Sequence, residues 1–269
     1  MRCDAISFDL DETLIDYSVS SVRALEAIGG RPSDLPRWYE ASARADREMN
    51  RGALPAAEYD DERIGRFHAA CHGRSPSASE LRDLVDRRRD AVLTHVRLFP
   101  DAVRFLASVR AHGITCVAVS NSFAVLREDI VRRLGLETHL THVTYCGDGV
   151  HRKPAKEAFA DGLAALGGAD AVVHIGDEYE ADIVGAGNAG LQGVHVNRSG
   201  GRCAHAGTCV TSLDLPLERR ENGLHLGAVT GPRQGYRRPA PAAPAESPGR
   251  TPRSPAFRPT THHPEECSS

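Results

Sequence analysis

Ser7-Phe8-Asp9-Leu10-Asp11-Glu12-Thr13-Leu14 decides the reading of this chain, because two aspartates one residue apart close a short apolar run, Ala5-Ile6-Ser7-Phe8. A run of that length, ended at once by charge, reads as a buried strand of a parallel sheet. Side chains at i and i+2 of a strand share a face, so Asp9 and Asp11 point the same way. Two carboxylates that close are costly unless a cation neutralises them or one keeps its proton. Taken alone, the segment reads more simply as a charged boundary between strand and turn. The rest of the chain decides against that simple reading.

Downstream, residues 18–29, 36–51, 55–72 and 77–96 are rich in Ala, Leu, Arg and Glu, and breaks fall at Gly29-Gly30-Arg31-Pro32, Gly52 to Pro55 and Gly73 to Ser77. Four helices with no strand between them form a helical module. From Pro100 the pattern alternates. A helix over 101–112 stops at Gly113, a natural C′ residue, and leads into the strand Ile114-Thr-Cys-Val-Ala-Val119. Helices over 123–134, 154–166 and 180–188 then alternate with strands near 143–146, 171–175 and 193–196, and a last short strand lies near Cys209. This predicts an α/β fold, a doubly wound parallel sheet with an inserted helical domain. The expected boundaries are 1–14 with 98–218 for the α/β core and 15–97 for the helical insertion. Residues 219–269 are expected to be a disordered tail, because nine of the last 39 residues are proline and runs such as Pro239-Ala-Pro-Ala-Ala-Pro244 build no core.

Composition narrows the function classes. The 269 residues are 41% hydrophobic, enough for a real core, and carry a net charge of −3. Six arginines against three glutamates make residues 231–269 +3, so the remainder is −6 and no nucleic-acid partner is expected. No apolar run approaches a membrane span, and no basic-then-apolar start reads as a signal peptide, so a cytoplasmic protein is expected. The seven cysteines are scattered and mostly sit in apolar runs such as Thr115-Cys116-Val117, which fits small buried side chains rather than a disulfide frame. Cys203, His205 and Cys209 are three metal-capable side chains, but no fourth stands at a usual spacing, and no zinc site is expected. Only two of the 33 basic residues are lysine, Lys153 and Lys156, and Lys153 directly precedes Pro154 at a helix start.

The strand ends supply the chemistry. Strand 114–119 runs into Ser120-Asn121-Ser122, and strand 171–175 runs into Gly176-Asp177 with Asp182 five residues on. In a parallel sheet these ends gather at one edge, where such sheets bind ligands. A carboxylate there can attack phosphorus, a second carboxylic acid can protonate the leaving oxygen if its pKa is raised, and a hydroxyl with free turn amides can bind phosphate. A lysine neutralises developing charge, and clustered acidic oxygens suit Mg²⁺. Each motif alone is bland loop or turn composition. Their joint order, each at the correct end of its element, is not.

Asp9-Leu-Asp11-Glu-Thr13, Ser120-Asn121, Lys153-Pro154 and Gly176-Asp177 with Asp182 resemble the four ordered motifs of the haloacid dehalogenase superfamily of hydrolases. The likeness covers about residues 3–218, and Phe99-Pro100-Asp101 and Gly185-Ala-Gly-Asn-Ala-Gly190 also match it. It implies a Rossmann-like core with an α-helical cap between the first and second motifs. By resemblance, Asp9 is the nucleophile and a metal ligand, and Asp11 is the general acid/base with its backbone carbonyl on the metal. Ser120 and the Asn121 amide would hold phosphate, Lys153 would bridge phosphate and Asp9, Asp177 and Asp182 would bind Mg²⁺, and Thr13 would support the loop.

Within that superfamily, dehalogenases attack carbon with one aspartate and need neither the acid nor the metal, so Asp11, Asp177 and Asp182 favour a phosphatase. Phosphomutases share every motif but commonly carry Gly where this chain has Glu12. The expected activity is therefore Mg²⁺-dependent hydrolysis of a small phosphorylated metabolite, with sugar or cyclitol phosphates favoured, through an aspartyl-phosphate. The alternatives are a phosphomutase, a 2-haloacid dehalogenase, or a non-enzymatic interaction protein working through its proline-rich tail. Within the helical module, Arg44, Arg47 and Arg51 recur at helical spacing, which reads first as a solvated basic face. Trp38 and Tyr39 read first as packing residues.

Overall fold

The computed structural model describes residues 1–227 other than 202, 204, 206 and 222. Residues 228–269, most of the expected tail, lie outside the described residues. In chain order the elements are β1 (Ala5–Phe8), β2 (Ile15–Asp16), α1 (Ser18–Ala27), α2 (Leu35–Asn50), α3 (Tyr59–His72), α4 (Ala78–His95) and β3 (Arg97–Leu98). They continue as α5 (Pro100–Ala111), β4 (Thr115–Ser120), α6 (Ala124–Arg133), β5 (His142–Tyr145), α7 (Ala160–Ala165), β6 (Val172–Gly176), α8 (Gly185–Asn188), β7 (Gln192–Val196), β8 (Thr208–Val210), β9 (Leu217–Arg220) and β10 (Gly223–Leu226).

Six strands form one sheet in the order β5-β4-β1-β6-β7-β8, and every pairing in it is parallel. β1 is central and buried throughout, which is why four residues without polar alternation make a strand here. Phe8 pairs with Ala118 on one side and Ile175 on the other, so Asp9, the Ser120 turn and Gly176 leave the sheet at one edge. The strand order reverses beside β1, where ligands bind in such sheets. Gly113 ends α5 with a φ of +68°, the left-handed conformation that its place after a helix calls for.

The chain leaves and re-enters the core through paired strands. β2 and β3 are antiparallel, and the buried Asp16 accepts from Ser18 N (2.8 Å) and Arg97 Nε (2.9 Å). Between them, α1–α4 build a core of their own from Leu25, Ile28, Ala41, Ile64, Phe67 and Leu84. α4 opens with a capping box, in which Ser77 Oγ accepts from Glu80 N (3.3 Å) and Ser77 N donates to Glu80 Oε2 (2.8 Å).

Past residue 218, where a tail was expected to begin, the chain instead makes the β9–β10 hairpin. Cys3 N donates to Leu224 O (2.9 Å) and Leu226 N to Met1 O (2.8 Å), so this hairpin covers the chain's start. Its alternating Leu224 and Leu226 carry a half-buried strand pattern within a polar stretch too short to stand out. No helix among the described residues is long and apolar enough to cross a membrane.

Candidate active site

The sheet edge brings the expected residues together. Asp9 follows the last residue of β1, and its N–H still donates to Ile175 O (2.8 Å), so the carboxylate is fixed by strand geometry. Lys153 Nζ donates to Asp9 Oδ1 (2.8 Å) and to Asp182 Oδ1 (2.6 Å), and all three side chains are buried. Lys153 itself is held by its backbone. Asn121 Oδ1 accepts from Lys153 N (2.9 Å), Asn121 Nδ2 donates to Lys153 O (3.1 Å), and Asn188 Nδ2 donates to Pro154 O (3.0 Å). Asn121 thus serves as a positioning clamp through its side chain, beyond the amide role that its motif implies. Ser120 is buried at the end of β4, and its Oγ accepts from Ser122 N (3.2 Å).

Oxygen atoms of Asp9, Asp177 and Asp182 lie within 4.8 Å of one another. When all three carboxylates are ionised they outweigh the one ammonium by two negative charges, which a divalent cation would balance, and an all-carboxylate donor set suits Mg²⁺. Burial pushes the Asp9 carboxyl well above the usual range against the pull of Lys153, and Asp182, Asp11 and Asp177 add to the push. Burial, with Asp182 and Glu12 nearby, likewise raises Asp177 to about 7. Burial opposes the charge of Lys153, but Asp9 and Asp182 together keep its pKa above the ordinary lysine value. Thr13 Oγ1 reaches Asp177 Oδ1 at 3.4 Å, tying the first loop to the third.

A residue that sequence reasoning passed over completes the cluster. His174 is fully buried in β6, with Nε2 3.2 Å from Asp182 Oδ1 and Nδ1 2.9 Å from Ser7 Oγ. A carboxylate only accepts, so Nε2 carries the proton and Ser7 donates to Nδ1. Burial holds the His174 pKa below the usual value, in keeping with this neutral tautomer. Asp182 also accepts from Glu178 N (2.9 Å). Burial works against its charge, but these donors and Lys153 bring its pKa below the usual range. Asp182 lies so close to Gly176 that a Cβ there would stand 2.2 Å from its carboxyl carbon, which gives the Gly-Asp motif its physical reason.

Asp11 departs from expectation. Its proton-donating role called for a raised pKa, yet Arg127 Nε binds both its oxygens at 3.0 Å and Ser122 Oγ donates at 2.6 Å. Burial alone would raise it, and Arg127 and Ser122 overcome burial and hold the carboxyl below the usual range. Arg127 comes from the first turns of α6, where one more arginine in an arginine-rich chain carries no signal.

Glu12, next to Asp11, takes a φ of +57°, a conformation disfavoured for side-chain-bearing residues by roughly 1 kcal/mol or more. Arg198 pins this loop, its Nε donating to Glu12 O (3.0 Å) and its Nη2 to Thr13 O (2.5 Å). Arg198 also pairs with buried Asp101 (2.9 Å), which accepts in turn from Leu213 N (2.7 Å), and it stacks over Phe99 at 3.6 Å. The Phe99-Pro100-Asp101 segment therefore matters as an anchor for Arg198.

Over the edge, α1–α4 and α6 enclose a cavity of about 340 Å³ lined by Trp38, Arg63, Arg88 and Arg127. A second space of about 150 Å³ shares Arg63 and Arg127 and reaches Asn121 and Ser122. Arg44, Arg47 and Arg51 are exposed and line neither space. Trp38 packs against Phe67 with Arg63 and Arg88 over its ring, and Tyr39 is exposed. Burial and the neighbouring Arg63 bring Arg88 down to about 9.

The molecule is thus an α/β protein whose Rossmann-like sheet carries a carboxylate cluster at its switch point. The chain belongs to the haloacid dehalogenase-like hydrolase family, whose model matches residues 3–190. It is 30% identical to the ribulose-1,5-bisphosphate 5-phosphatase of Halopiger xanaduensis over 199 residues, 71% of this chain and 83% of that protein. It is also 30% identical to the phosphoserine phosphatase of Thermus thermophilus over 220 residues, 71% of this chain and 87% of that protein. Among solved structures, the HAD-hydrolase YfnB of Bacillus subtilis, bound to magnesium, aligns with a TM-score of 0.64 at 18% identity, covering 80% of this chain and 96% of that one. The L-2-haloacid dehalogenase of Xanthobacter autotrophicus aligns at 0.60 and 19%, covering 78% and 95%. At those identities the two structures share its fold.

Proposed function

We propose that this hydrolase is a Mg²⁺-dependent phosphatase acting on a small, multiply anionic phosphorylated metabolite. The observation that carries the reading is the cluster of buried Asp9 and Asp182, both bound by Lys153, with half-buried Asp177, a set that carries two negative charges in excess when fully ionised. A lone nucleophile for a carbon–halogen bond has no use for that excess, which argues against dehalogenation. Relatives that hydrolyse ribulose bisphosphate, phosphoserine and phosphoglycolate support the phosphatase reading.

Asp9, Asp177 and Asp182 would hold Mg²⁺, which when bound neutralises phosphate charge. Asp9 attacks phosphorus, the bond to the leaving oxygen breaks, and an aspartyl-phosphate forms. Lys153 orients Asp9 and offsets charge on the transferring group. The Ser120 hydroxyl and the amides of the turn after β4 bind its oxygens. Asp11 as an ionised carboxylate is ready to take the proton from the attacking water in the second step. To protonate the leaving oxygen in the first step it must gain a proton, and a substrate phosphate that draws Arg127 away favours that form. The helices α1–α4 act as the cap, and water exclusion under them strengthens each of these charge interactions.

Around the cavity, Arg63 and Arg88 pair with Asp60 of the same wall, and Arg127 pairs with Asp11. The three arginines suit a second anionic group on the substrate, a second phosphate or a carboxylate, where it displaces those carboxylates. The test is phosphate release from a panel of phosphorylated metabolites with Mg²⁺, run beside a halide-release assay on 2-haloacids. Turnover is expected only in the first assay, with bisphosphates and phosphorylated acids ahead of neutral sugar monophosphates. Halide release without phosphate release would overturn the reading.

A further inference from the structure

One cluster of metal-capable side chains stands outside this chemistry. Ligand atoms of His195, Cys203, His205 and Cys209 all lie within 4.8 Å of one another. Two strands bring them together: His195 is the fourth residue of β7, Cys209 is the middle residue of β8, and these two are register partners. Cys203 and His205 come from the loop that joins those strands. Cys203 and Cys209, with Cα atoms 6.5 Å apart, are paired as a disulfide in this structure, unlike the buried free cysteines that the sequence led one to expect, so a shared ion requires the reduced pair.

The second nitrogen of His195 points to a ligand. His195 Nε2 lies 2.9 Å from the backbone carbonyl of Asp177. A carbonyl can only accept, so Nε2 bears the proton and Nδ1 presents a lone pair to the cluster. Metal-bound histidines are oriented by such a bond from their other nitrogen to a carbonyl. Around Nδ1 stand Cys203 Sγ at 3.5 Å, Cys209 Sγ at 3.7 Å and His205 Nε2 at 2.7 Å. In a tetrahedral zinc site with ordinary Zn–S and Zn–N lengths, a sulfur and a nitrogen ligand are about 3.5 Å apart. The sulfur-to-nitrogen distances fit that geometry, and on reduction the two sulfurs, like the two nitrogens, have to move apart to share the ion. Tyr179 stacks on His205 with ring centroids 3.8 Å apart, and Asn197 Nδ2 donates to Cys203 Sγ at 3.7 Å, so both loop ligands are also oriented from outside.

We propose that His195, Cys203, His205 and Cys209 form a structural Zn²⁺ site that locks the β7–β8 loop onto the active-site edge. Two thiolates and two neutral imidazoles balance the ion's charge and close its coordination, leaving no position for a substrate. The site's place gives it a purpose. His195 holds the peptide of Asp177, and the same loop carries Arg198, which pins Glu12 and Thr13. Soft sulfur and nitrogen donors here and hard oxygen donors at Asp9, Asp177 and Asp182 keep the two ions apart by chemistry. The proposal is independent of the phosphatase reading.

The test is metal content by elemental and native mass spectrometry, on the full chain purified under reductant without chelator. About one zinc per chain is expected, retained in Asp9→Asn and lost in Cys203→Ser/Cys209→Ser and in His205→Ala. Cobalt reconstitution of the wild-type chain should give the visible bands of tetrahedral thiolate coordination, a readout that stands even if the variants fold poorly. A zinc-free reduced chain without that spectrum overturns the site. So does a chain whose Cys203–Cys209 disulfide resists mild reductant. Zinc that survives in the double cysteine variant, or leaves with Asp9→Asn, places the ion elsewhere and also overturns it.

Discussion

Two clusters of ligating side chains sit on either side of the peptide of Asp177, and they differ in almost every physical respect. One is oxygen-rich, largely buried and in negative excess when ionised, and it is organised around Lys153. The other is a half-buried set of sulfur and imidazole donors whose charges cancel on Zn²⁺. The first is built on strand ends, so the sheet fixes it before any ion arrives. Half of the second rides on a loop, and only β7 and β8 hold it in register. An excess of charge makes the first cluster reactive, and a balance of charge makes the second a clasp.

The largest effect that separates them comes from Asp9→Asn. It removes the proposed nucleophile, and turnover should fall by roughly 10⁴-fold or more. The melting temperature should hold or rise, because a buried carboxyl that resists ionisation is replaced by a neutral amide. Retained turnover, measured as single-turnover phosphate release, would remove Asp9 from its role.

Arg198→Met tests the bridge between the two clusters. It leaves Asp101 buried without its guanidinium and frees the carbonyls of Glu12 and Thr13. Breaking a buried pair by removing one partner costs about 3 kcal/mol or more. For a domain of this size that corresponds to a fall in Tm of roughly 6–12 °C by calorimetry. A Tm unchanged within a degree or two would show that the strained loop stands without its pin.

The difference between the clusters also explains what could be read in advance. Asp9, Ser120 and Asp177 were legible because each lies at or just past the end of an apolar run, and a parallel sheet sends all such ends to one edge. Lys153 and Asp182 were read from the helix start at Pro154 and the spacing from Asp177. The expected helices and strands were found within a few residues for the same reason, since periodicity and Gly or Pro breaks are local signals. Cys203, His205 and Cys209 were visible as a group, but their fourth partner His195 lies in a strand pattern that reads as packing. It becomes a ligand only through the β7–β8 register, which is not a local property. Arg127, Arg198 and His174 were missed similarly. Their roles depend on partners more than a hundred residues away for Arg127 and Arg198, and on both Ser7 and Asp182 for His174. The expectation for Asp11 failed because its proton affinity is set by Arg127.

Gly176→Ala sharpens the comparison from inside the oxygen cluster. The added methyl would meet the Asp182 carboxyl at 2.2–2.5 Å, so Asp182 must shift from Lys153 and His174. Overpacking of this kind costs about 1–3 kcal/mol, and a displaced charge partner is expected to lower kcat by roughly 10²-fold. His195 is the register partner of Gly176, so zinc content reads whether the methyl also reaches the second cluster. Normal kcat would show that the close approach at Gly176 tolerates adjustment without moving Asp182.

The smallest effect is a pH dependence that only the oxygen cluster should show strongly. Asp177, raised to about 7, binds its proton more tightly in the metal-free folded chain than in the unfolded one. By linkage this term lowers stability as pH rises from the ordinary aspartate range through about 7, and it is flat above. His174 acts in the opposite sense. Its depressed pKa means the unfolded chain gains a proton first, so stability falls as pH drops below the usual histidine value near 6.5. The two trends offset each other in a simple melt, and the increment in Tm on adding Mg²⁺ isolates the first. Mg²⁺ must displace the Asp177 proton below pH 7, so its apparent affinity should weaken by up to about tenfold per pH unit there and level off above pH 8. Thermal shifts with and without Mg²⁺ at pH 6, 7, 8 and 9 measure this directly. An increment that is equal at all four values would mean that Asp177 is ionised throughout and that its charge is already present before the ion binds.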